Sequence, residues 1–237
     1  MPASKDTRRL SDLVEVWQKH HGINLRAKNT YSRLINLCRA LGNPTADTFN
    51  VNLFVGYRSQ RLNQGISANN LNREHAYLRA VFNELRRLGY WKKENPLALV
   101  RQFKIEEREL SYLTLEQIST LLAELGAEHN RDAWLITRIC LATGARWSEA
   151  EGLRVSHVRN GQIHFTGTKS GKNRSVPIND ELVAELDEHL SRRYGDGRST
   201  DTRYFQYAYS AFREAVKRAG LILPKGQSTH VLRHTFG

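Results

Sequence analysis

The longest one-sided apolar stripe in the chain, Ser67 to Leu88, limits the fold more than any other feature. Leu71, Leu78, Val81, Phe82 and Leu85 recur at helical spacing, and Gly89 ends the run. A helix of about six turns with a single apolar face needs neighbours to cover that face. Three shorter stripes upstream can supply them. Leu10, Leu13, Val14 and Trp17 mark a helix over 8–20; Tyr31, Leu34, Ile35, Cys38 and Leu41 mark another over 29–41, stopped by Gly42-Asn43-Pro44; Phe49 to Leu62 reads as a third. The expected arrangement for residues 1–100 is a four-helix domain closed by Asn95-Pro96.

Residues 101–111 are charged and lack apolar periodicity, which reads as a linker with a boundary near 110. Thr114-Leu-Glu-Gln117 then has the spacing of a capping box, opening a helix with Ile118, Leu121, Leu122 and Leu125 on its apolar side. Ala133 to Ala142 reads as an apolar helix that delivers the chain to Thr143-Gly144. A short helix from Ser148, a strand from Gln162 to Phe165, a basic turn, a strand from Ser175 to Ile178 and helices near 180–193 and 204–219 complete the pattern. The expected class is mainly α, with a mostly helical second domain over 112–237 that carries a small antiparallel hairpin or sheet.

Charge narrows the partners. The chain of 237 residues has 36 Lys and Arg against 24 Asp and Glu, a net of +12, which points to polyanions, with nucleic acid ahead of a membrane surface. The excess is uneven: residues 1–110 hold 19 basic and 10 acidic side chains, net +9, whereas 111–237 hold 17 and 14, net +3. Cys38 and Cys140 both fall inside apolar helical patterns, so small buried thiols are expected in place of a disulfide or metal site, as suits a reducing cytosol. No apolar run is long enough to span a bilayer and no secretory signal is evident, so an intracellular chain without membrane contact is expected.

Three segments carry candidate chemistry. Arg146 sits in Leu141-Ala-Thr-Gly-Ala-Arg-Trp-Ser-Glu-Ala-Glu-Gly-Leu153, at a break between two helical segments. His230, Arg233 and His234 stand at i, i+3 and i+4, on one face if helical. Between them Gly167-Thr-Lys169-Ser-Gly-Lys-Asn-Arg-Ser-Val-Pro177 forms a basic turn holding Lys169 together with Lys172 and Arg174, which are expected to contact DNA. Guanidinium groups grip two phosphate oxygens and never deprotonate, so Arg146 and Arg233 suit a phosphodiester clamp. His230 could exchange a proton near neutral pH, and Lys169 could stabilise a leaving oxygen. Taken singly, each reads more simply as a surface ion pair, a structural histidine or a solvated lysine. Arg26, Lys28, Asn29 and Thr30 near the start of the second helix, and Asn69, Asn70, Asn72 and Arg73 near the start of the fourth, suit phosphate and base-edge contacts or a solvated face.

In combination, Ala-Thr-Gly-Ala-Arg-x-x-Glu, a hairpin lysine and His-x-Leu-Arg-His-Thr-Phe, in that order, resemble the tyrosine recombinase and phage integrase family. The likeness is strongest to integrases of P2-like temperate phages, through Tyr112-Leu-Thr-Leu-Glu-Gln-Ile, Thr-Gly-Ala-Arg-Trp-Ser-Glu-Ala and Leu223-Pro-Lys-Gly-Gln-Ser-Thr-His-Val-Leu-Arg-His. The resemblance implies DNA strand cleavage by a tyrosine, without metal, ATP or other cofactor, in integration or excision at a double-stranded attachment-site core. It implies that Arg146 and Arg233 bind the scissile phosphate, Lys169 assists the departing 5′-oxygen and His230 assists proton transfer. Glu149 and His234 take supporting roles, and the helical first half becomes a core-binding domain. It also implies a phage or prophage gene product in the bacterial cytoplasm, assembling as a tetramer on DNA.

The sequence departs from the family pattern in two respects. The family's last histidine or tryptophan and its nucleophilic tyrosine follow His-x-x-Arg, and neither follows it in these 237 residues; a small N-terminal arm-binding domain is not evident either. Tyr204, Tyr207 and Tyr209 precede the motif on an expected apolar helix face and are expected to pack in the core. The expectation is a truncated product that binds DNA without cleaving it and whose tetramer is weakened, or alternatively a regulator or decoy derived from an integrase. A nucleotide-binding loop is excluded, because Gly167-Thr-Lys-Ser-Gly-Lys172 has three residues between its glycines and Asn173 after its lysine.

Overall fold

The computed structural model describes all residues except 1–4, 26, 28, 107–109, 127–129, 168–172, 196, 225 and 237. The chain divides into two units, Met1–Glu107 and Arg108–Gly237.

The first unit holds α1 (Leu10–His20), α2 (Thr30–Ala40), α3 (Val51–Asn63) and α4 (Ala68–Arg87). The stripe on α4 is its core face: Leu71, Leu78, Val81, Phe82 and Leu85 are all fully buried. Phe82 stacks on Phe49 at 5.4 Å and meets the edge of Trp91 at 4.9 Å, contacts that each add about 0.5–1.5 kcal/mol beyond area burial. Asn50 and Ser67 cap α3 and α4 by accepting from the amides of Leu53 and Asn70. Residues 101–103 are part of this unit's packing and not free linker. Asn72 Nδ2 donates to the Phe103 carbonyl at 2.9 Å while its Oδ1 accepts from the Phe103 amide at 2.8 Å. Arg58, buried on α3, donates to the Arg101 carbonyl and lies 3.9 Å from the Phe103 ring centroid.

The second unit runs α5 (Leu115–Leu125), α6 (Arg131–Thr143), α7 (Trp147–Glu151), β1 (Val158–Arg159), β2 (Gln162–Phe165), β3 (Arg174–Pro177), α8 (Asp180–Tyr194), α9 (Tyr209–Arg218) and α10 (His230–Thr235). The strands form an antiparallel sheet in the order β1-β2-β3, with Phe165 opposite Arg174. Thr114 and Gln117 form the capping box of α5. Apolar α6 lies in the middle of the core, with Ala133, Leu135, Ile136, Ile139 and Cys140 fully buried. The N-terminus of α6 is fastened by Asp132, whose carboxylate takes hydrogen bonds from Arg193 at 3.0 Å and the Gln206 amide at 2.9 Å and pairs with His189 at 2.9 Å.

The stretch expected to open a helix at 204 does not; α9 starts at Tyr209. Alternate amides are taken by other elements: Tyr204 donates to the Leu153 carbonyl, Gln206 to Asp132 and Ala208 to Glu151. A period of two belongs to an extended chain. Tyr204 is buried as expected, but Tyr207 is 72% exposed and not a core residue. Both thiols, Cys38 and Cys140, are free and buried, and burial raises both pKa values, that of Cys38 to about 12.

Candidate phosphate-binding site

Thr143-Gly-Ala-Arg146 builds a turn whose every residue has a local task. Thr143 Oγ1 donates to the Ile139 carbonyl at 2.6 Å and accepts from the Ala145 amide at 3.3 Å. Gly144 ends α6 in the left-handed region at φ +61°, its amide bonded to the Cys140 carbonyl. Ala145 is fully buried, and Arg146 is the residue from which α7 starts. Glu149, in the first turn of α7, accepts the Arg146 amide on Oε2 at 3.1 Å and the Arg146 guanidinium on Oε1 at 2.9 Å. The arginine is therefore held at both backbone and side chain, while a third of its side chain, 33%, stays open to solvent.

Arg174, on β3, donates Nη2 to Glu149 Oε2 at 2.8 Å. Its guanidinium lies 4.4 Å from the ring centroid of Phe165, its cross-strand partner. Burial pushes the Glu149 carboxyl pKa up, but hydrogen bonds from Arg174 and from the Arg146 amide and side chain outweigh it and hold the value at about 2. Two guanidinium groups on one carboxylate leave a local positive excess. A recess beside them is lined by Arg146, Ser148, Glu149, His157, Phe165, Thr166 and Gly167 among others. Burial and then Arg154 lower the His157 pKa, and its Nδ1 accepts the Arg154 amide, so the neutral ring carries its proton on Nε2.

The other arginine arrives on α10. Gln227 Oε1 accepts from the amide and hydroxyl of Ser111, and the Leu113 amide donates to Thr235 Oγ1 at 2.9 Å, so one short segment clamps both ends of that helix. Val231 and Leu232 are buried, and α10 packs on α6. Phe236 lies against Gly144, where a Cβ would stand 2.6 Å from the ring. The segment carrying Arg233 is thereby joined to the turn carrying Arg146. Arg233 Nη1 is buried with no hydrogen-bond partner among the described residues. Such a group costs about 1–3 kcal/mol or more to leave unsatisfied, and a water or an anion could satisfy it. His230 is exposed at the start of the helix and His234 is half-buried in its last turn. Lys169 and Lys172 lie outside the described residues.

In the first unit, Asn70 and Arg73 line a concavity together with Arg33, Asn36, Tyr57, Arg61 and Tyr77. Arg33 reaches the Tyr77 hydroxyl at 3.5 Å, and the Tyr57 hydroxyl donates to Glu74 at 2.9 Å. Asn29 and Asn69 are exposed. Thr30 and Asn72, expected to face a ligand, do not. Thr30 is buried and donates to the Ala27 carbonyl, and both amide groups of buried Asn72 are consumed by Phe103. Arg26 and Lys28 lie outside the described residues. Sequence reading missed Arg33 and Arg61, which only the packing of α2 and α3 against α4 brings to Arg73, and it missed the Arg174 pairing and His157. The one usable signal was the position of Arg174 on a strand arm and not at the turn tip.

Comparison with known proteins agrees along the whole length. The family described as Phage integrase, N-terminal domain matches residues 6–104, and the Phage integrase family matches residues 111–237. The integrase of Haemophilus phage HP1 (strain HP1c1) is 49% identical over 242 residues, which covers 98% of this chain and 68% of that protein. The integrase of Escherichia phage 186 is 45% identical over 245 residues, covering 98% and 69%. Among solved structures, a lambda integrase tetramer bound to a Holliday junction aligns with a TM-score of 0.77 over 99% of this chain and 74% of its own, at 17% identity, a likeness of fold.

Proposed function

The chain belongs to the phage integrase family of tyrosine-type site-specific recombinases, and on that premise we propose that Arg146 and Arg233 grip a phosphodiester of duplex DNA. The observation that carries this reading is Arg233, a guanidinium with one nitrogen buried and without a hydrogen-bond partner among the described residues, on a helix whose C-terminal Phe236 lies against the Arg146 turn. Arginine forks bind non-bridging oxygens and neutralise the charge that builds on them as a phosphoryl group transfers. His230 moves a proton at the reacting oxygens, Lys169 stabilises the departing 5′-oxygen, and His234 supports the site from the same helix. The first unit, domain 1–100 of the sequence division, holds flanking duplex through Asn29, Asn69, Asn70 and Arg73, with Arg33 and Arg61 beside them. Several copies assemble on the attachment-site core in the bacterial cytoplasm.

Phosphoryl transfer also needs a nucleophile. Tyr204 is buried with its pKa raised to about 12 by burial, and Tyr209 packs against Trp147 and bonds to Ser228. Neither of these two tyrosines is free to act as that nucleophile.

Fluorescence anisotropy with a labelled duplex of about 30 base pairs tests the reading. Log K is expected to fall against log salt with a slope on the order of 5 or more, and Arg233→Ala to weaken binding. Binding weaker than about 10⁻⁴ M at low salt, below ordinary non-specific affinity, overturns it.

A further inference from the structure

We infer that Arg174 is a positioning residue for Arg146, acting through the carboxylate they share on Glu149 and not by touching DNA itself. The inference rests on the phosphate-binding reading of Arg146. Glu149 Oε2 receives Arg174 Nη2 at 2.8 Å and the Arg146 amide at 3.1 Å, and its Oε1 receives Arg146 Nη1 at 2.9 Å. The carboxylate is only 11% exposed, and each of its oxygens is engaged. Its orientation is consequently fixed from two sides, by the start of α7 and by the sheet. Arg174 is itself fixed, because Phe165 lies under its guanidinium and faces it across the β2–β3 ladder. A rigid cation on the sheet thus determines which way the Glu149 plane faces, and the plane determines where the Arg146 guanidinium points.

Arg174 also keeps Glu149 from capturing Arg146 outright. A buried carboxylate with one cationic partner forms a closed pair, and its arginine loses attraction for a further anion. With two cations on one carboxylate, a net positive charge remains beside the recess lined by Arg146, Ser148 and Thr166. The sheet residue therefore sets both the direction and the free charge of the phosphate-binding arginine.

The test compares wild type with Arg174→Met, Arg174→Lys, Arg146→Ala and the double variant Arg146→Ala/Arg174→Met. Three readouts are taken: affinity for a duplex of about 30 base pairs; the Arg146 Nε–H resonance; and the carboxyl carbon titration of Glu149. Arg174→Met is expected to weaken duplex binding by about three- to tenfold, to move the Arg146 resonance and to raise the Glu149 titration from about 2 toward the ordinary carboxylate range. Arg174→Lys is expected to recover most of the binding, and the double variant to bind like Arg146→Ala alone. Additive losses in the double variant overturn the inference, because they make Arg174 a DNA contact in its own right. An unchanged Arg146 resonance in folded Arg174→Met overturns it as well. Where Arg174→Met does not fold, Arg174→Gln takes its place. If Arg146→Ala leaves duplex binding intact, the phosphate-binding reading fails, and the Arg146 resonance then decides the positioning role without DNA.

Discussion

The two units employ the same cationic side chains in opposite ways. Among the described residues, the first unit ties its charges into four ion pairs, Arg8–Asp6, His21–Glu84, Arg87–Glu84 and Lys93–Asp47. The second unit forms eleven, several sharing an acid, as at Asp132, Glu149 and Glu188. Yet the larger positive excess belongs to the first half. There, most arginines form no ion pair among the described residues, so charge itself describes the surface. In the second unit arginine is chiefly a fastener between elements, and net charge says little about where an anion goes. The informative residue is Arg233, whose buried Nη1 has no hydrogen-bond partner among the described residues.

The sharpest test of two separate cores is Phe82→Ala against Phe212→Ala. Each removes a fully buried ring and is expected to destabilise its own unit by about 3–5 kcal/mol. Hydrogen exchange should lose protection across α1–α4 in the first variant and across α5–α9 in the second; loss across both units from either change would break the comparison.

Next in size is Glu149→Gln, where charge works as scaffold. The Glu149 pKa in the folded chain, about 2, lies below the ordinary 4.5. Its stabilisation is therefore complete above about pH 4.5 and drains as pH falls toward 2. A shift of that size corresponds to at most about 3 kcal/mol, and roughly 2 after allowance for residual hydration. Melting curves from pH 2 to pH 6 should show a steeper acid loss in wild type than in the Gln variant, which keeps the depressed Asp132 carboxylate, with the variant less stable at neutral pH.

Arg33→Ala and Arg73→Ala address the other half of the contrast. Each should alter stability by less than about 0.5 kcal/mol while lowering the salt slope of duplex binding by about 1. An unchanged slope would make the concavity of α2, α3 and α4 a solvated face. Smallest of all, Lys217→Ala, which loses an exposed pair with Glu214, should leave both melting and slope where they were.

How much of this could be read from the residues depends on the range of the interactions involved. Local signals served well. The stripe on α4, the capping box of Thr114 and Gln117, and the Thr143-Gly144 stop are short-range features, and each is found in place with strand β2. The Arg146–Glu149 pair is equally local, three residues apart. What failed needed distant partners. Tyr204 to Ala208 is extended because Leu153, Asp132 and Glu151 take its amides, and apolar spacing carries no trace of those acceptors. Asn72 reads as a surface residue until Phe103 folds back on it. Arg174 reads as one more turn cation until β3 sets it beside Glu149.

The buried thiols have a practical consequence for labelling. Burial raises the pKa of both Cys38 and Cys140 and encloses both sulfurs, so the reactive thiolate is scarce near neutral pH. Maleimide chemistry should therefore pass over both. A single cysteine introduced at an exposed position such as Ser59 or Ser191 becomes the chain's one reactive handle, so a fluorophore or spin label can be placed in either unit without first removing the native sulfurs.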